Sequence, residues 1–346
     1  MENSKTAIVI LNWNGEGMLE KYLPILIRCS ISPYVEIVVA DNASTDGSEK
    51  LMREKFPQIP FIKLDRNYGF ADGYNRALKY VRADYYMLLN SDVEVTMGWL
   101  EPMISYLDNN PQVAACQPKI HQIVNRDMFE YAGAAGGFID RLGYPFCRGR
   151  IFDSIETDSG QYDTDASLFW ATGAAMLVRS KVFKETGGFD ADFFAHMEEI
   201  DLCWRMRARG YQIRLVPQSL VYHIGGGTLG AEKPYKTYLN FRNNALLLYK
   251  NLPEKELKPI MRRRYCLDII AACVYLLKLK PKHFAAVLKA RHQVRSLKDS
   301  FQQKRQENMA LAVTDNIPER TGFSILWRLH VKRQNTFNKL RIKTTE

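Results

Sequence analysis

The chain has 346 residues, of which 46% are hydrophobic and 25% are charged, and its formal net charge is +10. This composition excludes a disordered or fibrous protein and is typical of one large globular domain with an appendage. Residues 245–346 contain 22 Lys and Arg against 8 Asp and Glu, whereas residues 1–244 contain 26 against 30. The sequence therefore predicts a slightly acidic body and a strongly basic tail that would attract an anionic partner.

The cysteines and the N-terminus indicate the cellular compartment. Six cysteines are scattered along the chain, and no two have the spacing of a metal site or a redox pair. A reduced compartment is therefore expected. The first six residues are polar, so no apolar secretion signal precedes the first predicted strand at Ala7. These features predict a cytoplasmic protein.

The first ninety residues alternate between predicted strands and helices. Short apolar runs predict strands at 6–11, 35–40, 61–64 and 85–89, with helices at 18–28, 48–56 and 72–81. This alternation is typical of a doubly wound α/β sheet, in which ligands bind at the carboxyl ends of the strands. No GxGxxG follows the first strand and no GxxxxGK[ST] occurs, so a dinucleotide enzyme or a P-loop NTPase has no motif support.

Polar side chains follow three of the predicted strands. They are Asn12, Trp13 and Asn14 after the first strand, Asp41 after the second, and Asn90, Ser91, Asp92 and Glu94 after the fourth. Two carboxylates one residue apart would bind a divalent cation, and that cation would neutralise a diphosphate. Asp41 either caps the next helix or accepts the imide N–H of a uracil or thymine ring. The segment from Asn67 to Arg76, including Gly69, is either part of this site or turn and surface chemistry.

The middle of the chain is less regular. A helix is predicted at 99–109 and a strand at 113–118, and residues 121–165 are expected to form a hairpin or insert beside the acceptor path. A small-residue turn leading into a strand follows at 170–179.

An acidic cluster opens the next predicted helix, which ends before Gly210. Glu198, Glu199 and Asp201 lie in its first turn, behind Phe193 and Phe194. Acids at this position can simply offset the helix dipole, which is worth roughly 0.3–1 kcal/mol. Alternatively, a carboxyl that lies close to other carboxylates and is shielded by aromatic rings has a raised pKa, which suits a general base.

His223 follows a strand predicted within residues 213–222 and precedes the glycine-rich residues 225–228. A lone histidine is more often structural than a ligand, but one at a strand end beside such a loop can bind a metal or a diphosphate. A further helix, predicted at 235–249, would return over the site.

In their order and spacing, these motifs resemble family 2 of the inverting nucleotide-sugar glycosyltransferases, most closely its rhamnosyltransferase-like branch. The motifs are Asn12-Trp-Asn14, Asp41-Asn-Ala-Ser-Thr-Asp46, Asn67-Tyr-Gly-Phe70, Asn90-Ser-Asp92, Gly173-Ala174, Gly187-Gly-Phe-Asp190, Glu198-Glu-Ile-Asp201 and Tyr222-His223. The resemblance covers about residues 5–250. It implies a GT-A fold, which is a Rossmann-like α/β fold with a mixed sheet flanked by helices.

The resemblance also implies a reaction. A sugar would move with inversion from a UDP- or dTDP-linked donor to a saccharide or lipid-linked acceptor in surface polysaccharide synthesis, with Mg²⁺ or Mn²⁺. The implied donor-binding residues are Asn12, Trp13, Asn14, Asp41, Asn67, Gly69, Arg76, Asn90 and Ser91. The implied metal ligands are Asp92, Glu94 and His223.

The chain departs from the family pattern at two places. The second acid of the pair would be the catalytic base, and it is Glu199 where the family usually has Asp, so Glu198 and Asp201 stay open as alternatives. The metal motif is Asn-Ser-Asp rather than Asp-x-Asp, which leaves Asp92 as the main ligand.

Two other classes of protein stay open. A nucleotidyltransferase of related fold normally has a basic glycine-rich loop after the first strand, and residues 12–17 contain no basic residue. A nucleotide-sugar-binding protein without chemistry would not need the acids described above.

The sequence predicts a catalytic domain at 1–250 and a basic helical extension at 251–346. The apolar run at 269–277 is far shorter than the roughly 20 residues that a spanning helix needs. The helix around it either docks on anionic lipid as a peripheral contact at the inner membrane face, or packs on the body or a homodimer partner. Nucleic acid is not expected, because no recognised binding module accompanies the charge.

Overall fold

The computed structural model of the protein describes residues 5–225 and 233–342. Its strands are β1 (Thr6–Asn12), β2 (Val35–Asp41), β3 (Phe61–Lys63), β4 (Tyr85–Leu89), β5 (Val93–Val95), β6 (Val113–Gln122), β7 (Gly137–Asp140), β8 (Pro145–Cys147), β9 (Arg150–Ile151), β10 (Ser154–Ile155), β11 (Ala166–Leu168), β12 (Ala175–Arg179), β13 (Gln212–His223) and β14 (Arg320–Thr321).

Helices alternate with the first strands and then dominate the C-terminal third. They are α1 (Glu16–Cys29), α2 (Ser48–Lys55), α3 (Gly69–Ala77), α4 (Glu101–Asn109), α5 (Ser180–Glu185), α6 (Glu198–Ala208), α7 (Pro234–Asn251), α8 (Glu254–Leu277), α9 (Pro281–Ser296), α10 (Lys298–Leu311), α11 (Ile325–His330) and α12 (Phe337–Leu340). Short 3₁₀ turns occur at Leu78–Tyr80 and Ala191–Phe193.

The larger sheet has the strand order β11-β13-β6-β12-β4-β1-β2-β3, and β5 pairs with β13. Strands β1 to β4 are parallel, whereas β12 runs antiparallel between β4 and β6. Such a mixed sheet flanked by helices is the predicted GT-A architecture, which is thereby confirmed. The helical C-terminal region is confirmed as well.

The register of the sheet brings three strand ends to one edge. Asn12 lies opposite Asp41, and Ile10 lies opposite Leu89, so the residues after Leu89 emerge beside the ends of β1 and β2. Because β12 runs the other way, its first residue, Ala175, also lies opposite Leu89. The predicted gathering of polar strand ends therefore follows from the pairing.

Both faces of the sheet are covered, because successive side chains of a strand point to opposite faces. Ile8 and Ile10 of β1 pack with Leu23 of α1, whereas Val9 packs on the other face with Tyr74 of α3. The Tyr74 hydroxyl lies 3.2 Å from the carbonyl oxygens of Val9 and Leu89. This buried polar group therefore has hydrogen-bond acceptors inside the core. Burial of apolar side chains on both faces accounts for the continuous apolar runs in β1 and β4.

The irregular segment at 121–165 contributes a second sheet, with the order β10-β9-β8-β7-β14. It contains an antiparallel β7–β8 hairpin. Strand β14 comes from the C-terminal region and pairs in parallel with β7, with Arg320 opposite Ile139.

The C-terminal helices pack on the body. Phe301 of α10 is fully buried, and its ring lies 6.1 Å from that of Phe193. The Arg305 guanidinium donates to the carbonyl oxygens of Tyr249 and Leu252. Within residues 5–225 and 233–342, no helix is long and apolar enough to cross a membrane.

Candidate active site

A cleft of about 720 Å³ opens where the strand ends meet. One wall is formed by the loops that follow β1, β2 and β4, and the opposite wall by the start of α6 and the first turns of α7. The second sheet closes one side. Ligands of α/β sheets bind at this edge, so the cleft is the candidate active site.

Asn12 and Asp41 build the edge of the sheet beneath the cleft and are not among its lining residues. The Asn12 Nδ2 atom donates to Asp41 Oδ1 at 3.1 Å, and the Ser44 backbone N–H donates to Asp41 Oδ2 at 2.9 Å. Both side chains are buried. Asp41 therefore braces the turn that follows β2 but does not cap α2, whose N-cap position is Gly47.

Trp13 lines the cleft and is 40% exposed, which leaves its ring free to contact a ligand. The next residue, Asn14, has a left-handed backbone, and its Oδ1 atom accepts from the Thr45 backbone N–H at 2.7 Å. Asn14 therefore joins the loop after β1 to the loop after β2 and is not a lining residue.

Asn42 joins β2 to the start of α3. Its Nδ2 atom donates to Asn67 Oδ1 at 3.1 Å and to the Gly69 carbonyl at 2.9 Å, and all three residues line the cleft. A Cβ atom at Gly69 would lie 2.6 Å from the Phe194 carbonyl oxygen, so only glycine fits. Asn42 was not predicted as a site residue, although it is the second polar residue directly after a strand end, which is the signal that could have indicated it.

Arg76 lies outside the cleft. Its Nε atom donates to Asp72 at 2.8 Å, and its guanidinium lies 3.7 Å from the centre of the Tyr68 ring. The structure therefore gives Arg76 the surface role that the sequence analysis left open, rather than a contact with the donor.

Asn90, Ser91 and Asp92 line the floor of the cleft. Pairing of β5 with β13 places His223 opposite Val93, and the His223 Nε2 atom lies 3.1 Å from Asp92 Oδ1. Burial would lower the pKa of His223, but the neighbouring carboxylates of Asp92 and Glu130 outweigh that effect and raise the pKa to about 10. Residues 226–228 of the predicted glycine-rich loop lie outside the described residues.

The donor set at this edge fits a divalent cation only in part. In the described ranges, no three His, Cys, Asp or Glu side chains converge to hold a metal ion. Asp92 and His223 supply two donors that face the cleft, and Mg²⁺ and Mn²⁺ commonly take their other ligands from substrate phosphates and water. Glu94 does not join them, because its carboxylate lies outside the cleft lining and accepts from Arg126 at 2.6 Å.

The chain that leads into α6 is strained. Phe194, His196 and Met197 all have left-handed backbones, which is costly for residues other than glycine. The Nδ2 atom of Asn243 in α7 lies 2.8 Å from the carbonyl oxygens of Phe193, Ala195 and His196 and holds this turn. Because of it, α6 begins at Glu198, at the wall of the cleft.

Glu198 and Glu199 both line the cleft, and the Oε2 atom of each is buried without a hydrogen-bond partner in the described part of the chain. Burial raises the pKa of Glu199 to about 7. Burial, together with the neighbouring Glu199 carboxylate, raises the pKa of Glu198 well above its usual range. A cleft carboxyl with a raised pKa and an oxygen free to accept a proton has the properties that a general base requires.

Asp201 does not line the cleft, although it shares the first turn of α6. Its carboxylate is fully buried and accepts from Arg205 at 2.8 Å, Lys250 at 2.9 Å and Asn251 at 2.8 Å. Burial favours the neutral form, but the two cations outweigh it and lower the pKa of Asp201. The alternative assignment of Asp201 as the base is therefore not supported by its position.

Much of the cleft wall was not identified from the sequence. Aromatic side chains of the second sheet and its connections line one side, and α7 adds polar and aromatic side chains at the opening. They include Tyr131, Tyr144, Phe152, Trp170, Tyr235 and Lys236. The sequence placed the insert beside the acceptor path and α7 over the site, but no local pattern shows which of their side chains face the cleft.

An α/β core with a mixed sheet, polar strand ends and a carboxylate pair across the cleft defines a nucleotide-sugar transferase of the GT-A fold. The model of the family described as Glycosyl transferase family 2 matches residues 7–187, more than half of the chain. The chain belongs to this family and is a glycosyltransferase. Membership favours sugar transfer over the nucleotidyl transfer that the sequence left open.

Two relatives and one solved structure illustrate the similarity. The N-acetylglucosaminyl-diphospho-decaprenol L-rhamnosyltransferase of Mycobacterium tuberculosis is 25% identical over 243 residues, which cover 65% of this chain and 78% of that protein. Rhamnosyltransferase WbbL of Escherichia coli K12 is 27% identical over 223 residues, covering 62% of this chain and 82% of that protein. The crystal structure of GalNAc-T7 with UDP, GalNAc and Mn²⁺ matches with a TM-score of 0.56 at 16% identity. The match covers 72% of this chain and 48% of that one, and it shows the fold.

Proposed function

We propose that the protein transfers a sugar, with inversion, from a UDP- or dTDP-linked donor to a saccharide on a lipid-linked acceptor in surface polysaccharide synthesis. The observation that carries this proposal is the pair of carboxyls of Glu198 and Glu199, each with one buried oxygen that has no partner in the described part of the chain, facing one cleft with Asp92. Two relatives are named as rhamnosyltransferases, and the name of one of them includes a diphospho-decaprenol acceptor.

The donor nucleotide would bind over the ends of β1 and β2. Trp13 and Asn67 line this part of the cleft, and the Asn12–Asp41 pair supports the backbone beneath them. An exposed indole beside a concave polar edge suits a pyrimidine base, which stacks on an aromatic face. Asn90 and Ser91 lie on the diphosphate side, next to Asp92.

Asp92 and His223 would hold Mg²⁺ or Mn²⁺ at the floor of the cleft. When bound, such an ion stabilises the negative charge on the departing diphosphate. The solved structure of GalNAc-T7 contains Mn²⁺ together with UDP. Without an ion, the carboxylates of Asp92 and Glu130 raise the pKa of His223 and favour its protonated form. Binding of the ion to this side chain would therefore release a proton.

Glu199 would act as the general base. In an inverting transfer the acceptor hydroxyl attacks the anomeric carbon opposite the diphosphate, so its proton must leave on the acceptor side. Glu199 lies beside Gly173, near the start of β12, at the wall that faces the strand ends. Its carboxylate takes the proton as the new glycosidic bond forms and the bond from sugar to phosphate breaks.

The acceptor would lie against the aromatic side of the cleft. Tyr131 and Tyr235 are about half exposed there, and Trp170 lines the interior. Aromatic side chains combine an apolar surface with a polar handle, which suits the mixed faces of a saccharide. We place the protein in the cytoplasm, in peripheral contact with the inner membrane face, where a lipid-linked acceptor presents its sugar.

A two-step experiment tests this function. Nucleoside diphosphate sugars are first screened for thermal stabilisation of the full chain, with and without Mn²⁺. The best donor is then incubated with short lipid-linked saccharides, and the anomeric configuration of the product is read by NMR. Stabilisation by a UDP- or dTDP-sugar and an inverted linkage support the proposal, whereas a retained anomeric configuration or transfer of the nucleotide overturns it.

A further inference from the structure

In the second half of α8, from Tyr265 to Leu277, the outward face lacks the charged residues that normally cover a surface helix. The buried side of α8 packs on the body through Ile260, Arg264, Asp268 and Ala272. From Tyr265 to Leu277, the only charged residue is Asp268, which lies on that buried side and pairs with Arg291 at 3.0 Å. The exposed residues of this stretch are Tyr265, Cys266, Ile270, Cys273, Val274, Leu276 and Leu277.

The most exposed leucines lie at the corner between α8 and α9. Leu277 is 83% exposed and Leu279 is 88% exposed, and Leu279 has a left-handed backbone in the turn. Exposed apolar residues scattered singly are ordinary, but a continuous helical stripe that ends in two exposed leucines marks an interaction surface. We call this stripe, from Cys266 to Leu279, the α8 corner surface.

The charge around the α8 corner surface has one sign. Residues 269–298 contain seven Lys and Arg and no Asp or Glu. Arg262 and Arg263 flank the stripe at one end and Lys278 and Lys282 at the other, and all four are exposed. Among residues 5–225 and 233–342, no carboxylate pairs with any of these four. An apolar stripe with a basic rim is the pattern of a helix that lies at an anionic lipid interface.

The α8 corner surface adjoins the opening of the cleft. Tyr275 stacks on His283 of α9 with ring centres 5.1 Å apart, and the His283 Nδ1 atom lies 2.8 Å from the Thr237 hydroxyl of α7. The two residues before Thr237, which are Tyr235 and Lys236, line the cleft. A surface that holds this corner against a bilayer would therefore place the acceptor side of the cleft close to the lipid headgroups.

We propose that the α8 corner surface is a docking site for an anionic lipid bilayer, which orients the cleft toward an acceptor held in that bilayer. The proposal rests on the proposed transfer to a lipid-linked acceptor. A second copy of the chain fits less well, because a symmetric contact would bring two basic rims together, and like charges repel across an interface. Anionic lipid headgroups instead attract such a rim.

Vesicle sedimentation of the full chain tests the surface. The wild type is expected to bind vesicles of equimolar phosphatidylglycerol and phosphatidylcholine, and to bind pure phosphatidylcholine less well. Ile270→Glu with Leu277→Glu should weaken binding by about tenfold or more, because two inserted apolar side chains become charged. Lys278→Gln with Lys282→Gln should weaken binding to the anionic vesicles alone.

Ile31→Glu is the matched control, because Ile31 is 80% exposed and follows α1 on the body. This variant should bind vesicles like the wild type. Equal binding by the α8 double variant, or no binding by the wild type, would overturn the docking site. A wild-type dimer that becomes monomeric in the double variant would instead assign the face to a second copy and also overturn it.

The same variants separate this surface from the proposed function. Thermal stabilisation by a nucleotide sugar and transfer to a detergent-solubilised acceptor should be unchanged in the Ile270→Glu, Leu277→Glu variant. Sugar transfer without vesicle binding would contradict the proposed docking site and leave the proposed function in place. Vesicle binding by a wild type that transfers no sugar would contradict the proposed function and leave the docking site in place.

Discussion

The two neighbouring glutamates at the start of α6 show how burial sets the chemistry of single residues. Glu198 is almost fully buried, Glu199 is partly exposed to the cleft, and each keeps one carboxylate oxygen without a partner. A carboxyl in such surroundings holds its proton to higher pH than in water, because the charged form loses its hydration. The group can therefore accept a proton near neutral pH and return it to solvent afterwards.

Glu199→Gln should lower turnover by about 10²–10⁴-fold while nucleotide affinity is retained, because the shape stays and the base is lost. In the wild type, turnover should rise with pH through about 7, where Glu199 loses its proton. That rise should be absent from the residual activity of the variant. Steady-state kinetics across pH, with nucleotide binding by calorimetry, measure both effects.

Glu185→Gln is the control for this substitution, because Glu185 is exposed in the last turn of α5 and lies outside the cleft. Its turnover should equal that of the wild type. Wild-type turnover in Glu199→Gln combined with loss in Glu198→Gln would assign the base to the other acid.

Asp92 and Glu94 are one residue apart in sequence but have different surroundings. Asp92→Asn should weaken Mn²⁺-dependent nucleotide binding by about 10–100-fold, because an amide is a poor ligand for a hard cation. Glu94→Gln should leave that binding unchanged, since Glu94 pairs with Arg126 outside the cleft. Calorimetry with UDP, with and without Mn²⁺, tests the pair, and equal affinity for both variants would refute the metal role of Asp92.

At the scale of elements, α7 controls where α6 begins. Asn243 is fully buried, and the two N–H donors of its side-chain amide are shared among three carbonyl oxygens of the left-handed turn before α6. Buried carbonyl groups left without a donor are costly, so this contact favours a backbone that local propensity opposes. Lys250 of the same helix pairs with Asp190 and Asp201 on either side of the turn.

Asn243→Ala should lower the free energy of unfolding by about 1–3 kcal/mol, because the part-buried carbonyls of Ala195 and His196 lose the Asn243 donor, while the Phe193 carbonyl still accepts from Arg242. Turnover should fall, since the turn places Glu198 and Glu199. Nucleotide affinity should fall less, since the turn supports the donor side through the Phe194 carbonyl, which accepts from the Phe70 and Ala71 backbone N–H groups at the start of α3. Asn109→Ala is the control, because the Asn109 side chain bonds only within the exposed end of α4. A variant with wild-type turnover would show that the turn holds its shape without Asn243.

At the scale of the whole molecule, the basic extension contributes to the core of the body. Phe301 is fully buried beside Phe193, Ile325 and Phe337 are buried in the main core, and β14 extends the second sheet. Asp140 of β7 accepts from the Ile325 backbone N–H at 2.8 Å. A domain that ended at the predicted boundary of 250 and folded on its own would not share its core with the extension. These contacts therefore argue that residues 1–250 depend on the extension for stability.

A chain that ends at Asn251 should therefore unfold at a markedly lower temperature or fail to fold. Removing one buried aromatic side chain alone costs about 3–5 kcal/mol, and the truncation removes Phe301 and Phe337 together with the aliphatic side chains around them. Thermal unfolding followed by circular dichroism, together with nucleotide binding, measures the effect. A fragment that unfolds cooperatively at the temperature of the full chain and binds nucleotide would establish residues 1–251 as an independent domain.

The positions of β1 to β4 and the polar strand ends could be predicted from the sequence, because each depends on local patterns, whereas the mixed sheet was implied by the family resemblance. A run such as Tyr85–Leu89 is apolar throughout, since both faces of the sheet are covered. Polar residues directly after such runs must emerge at the sheet edge, whatever else the chain does. Glu198 and Glu199 could be predicted as site residues for a similar reason. Acids that follow aromatic residues at the start of a helix form a local pattern in the sequence.

Contacts between residues distant in the chain decide which of Glu199 and Asp201 can act as the base. They also decide which of Asp92 and Glu94 can bind the metal. Asp201 pairs with Arg205 within α6 and also with Lys250, which lies 49 residues away, and the turn before α6 is held by Asn243, about as distant. Likewise, His223 reaches Asp92 across 131 residues, because β13 pairs with β5. No local pattern encodes such pairings, since they arise when the sheet register and helix packing bring those side chains together.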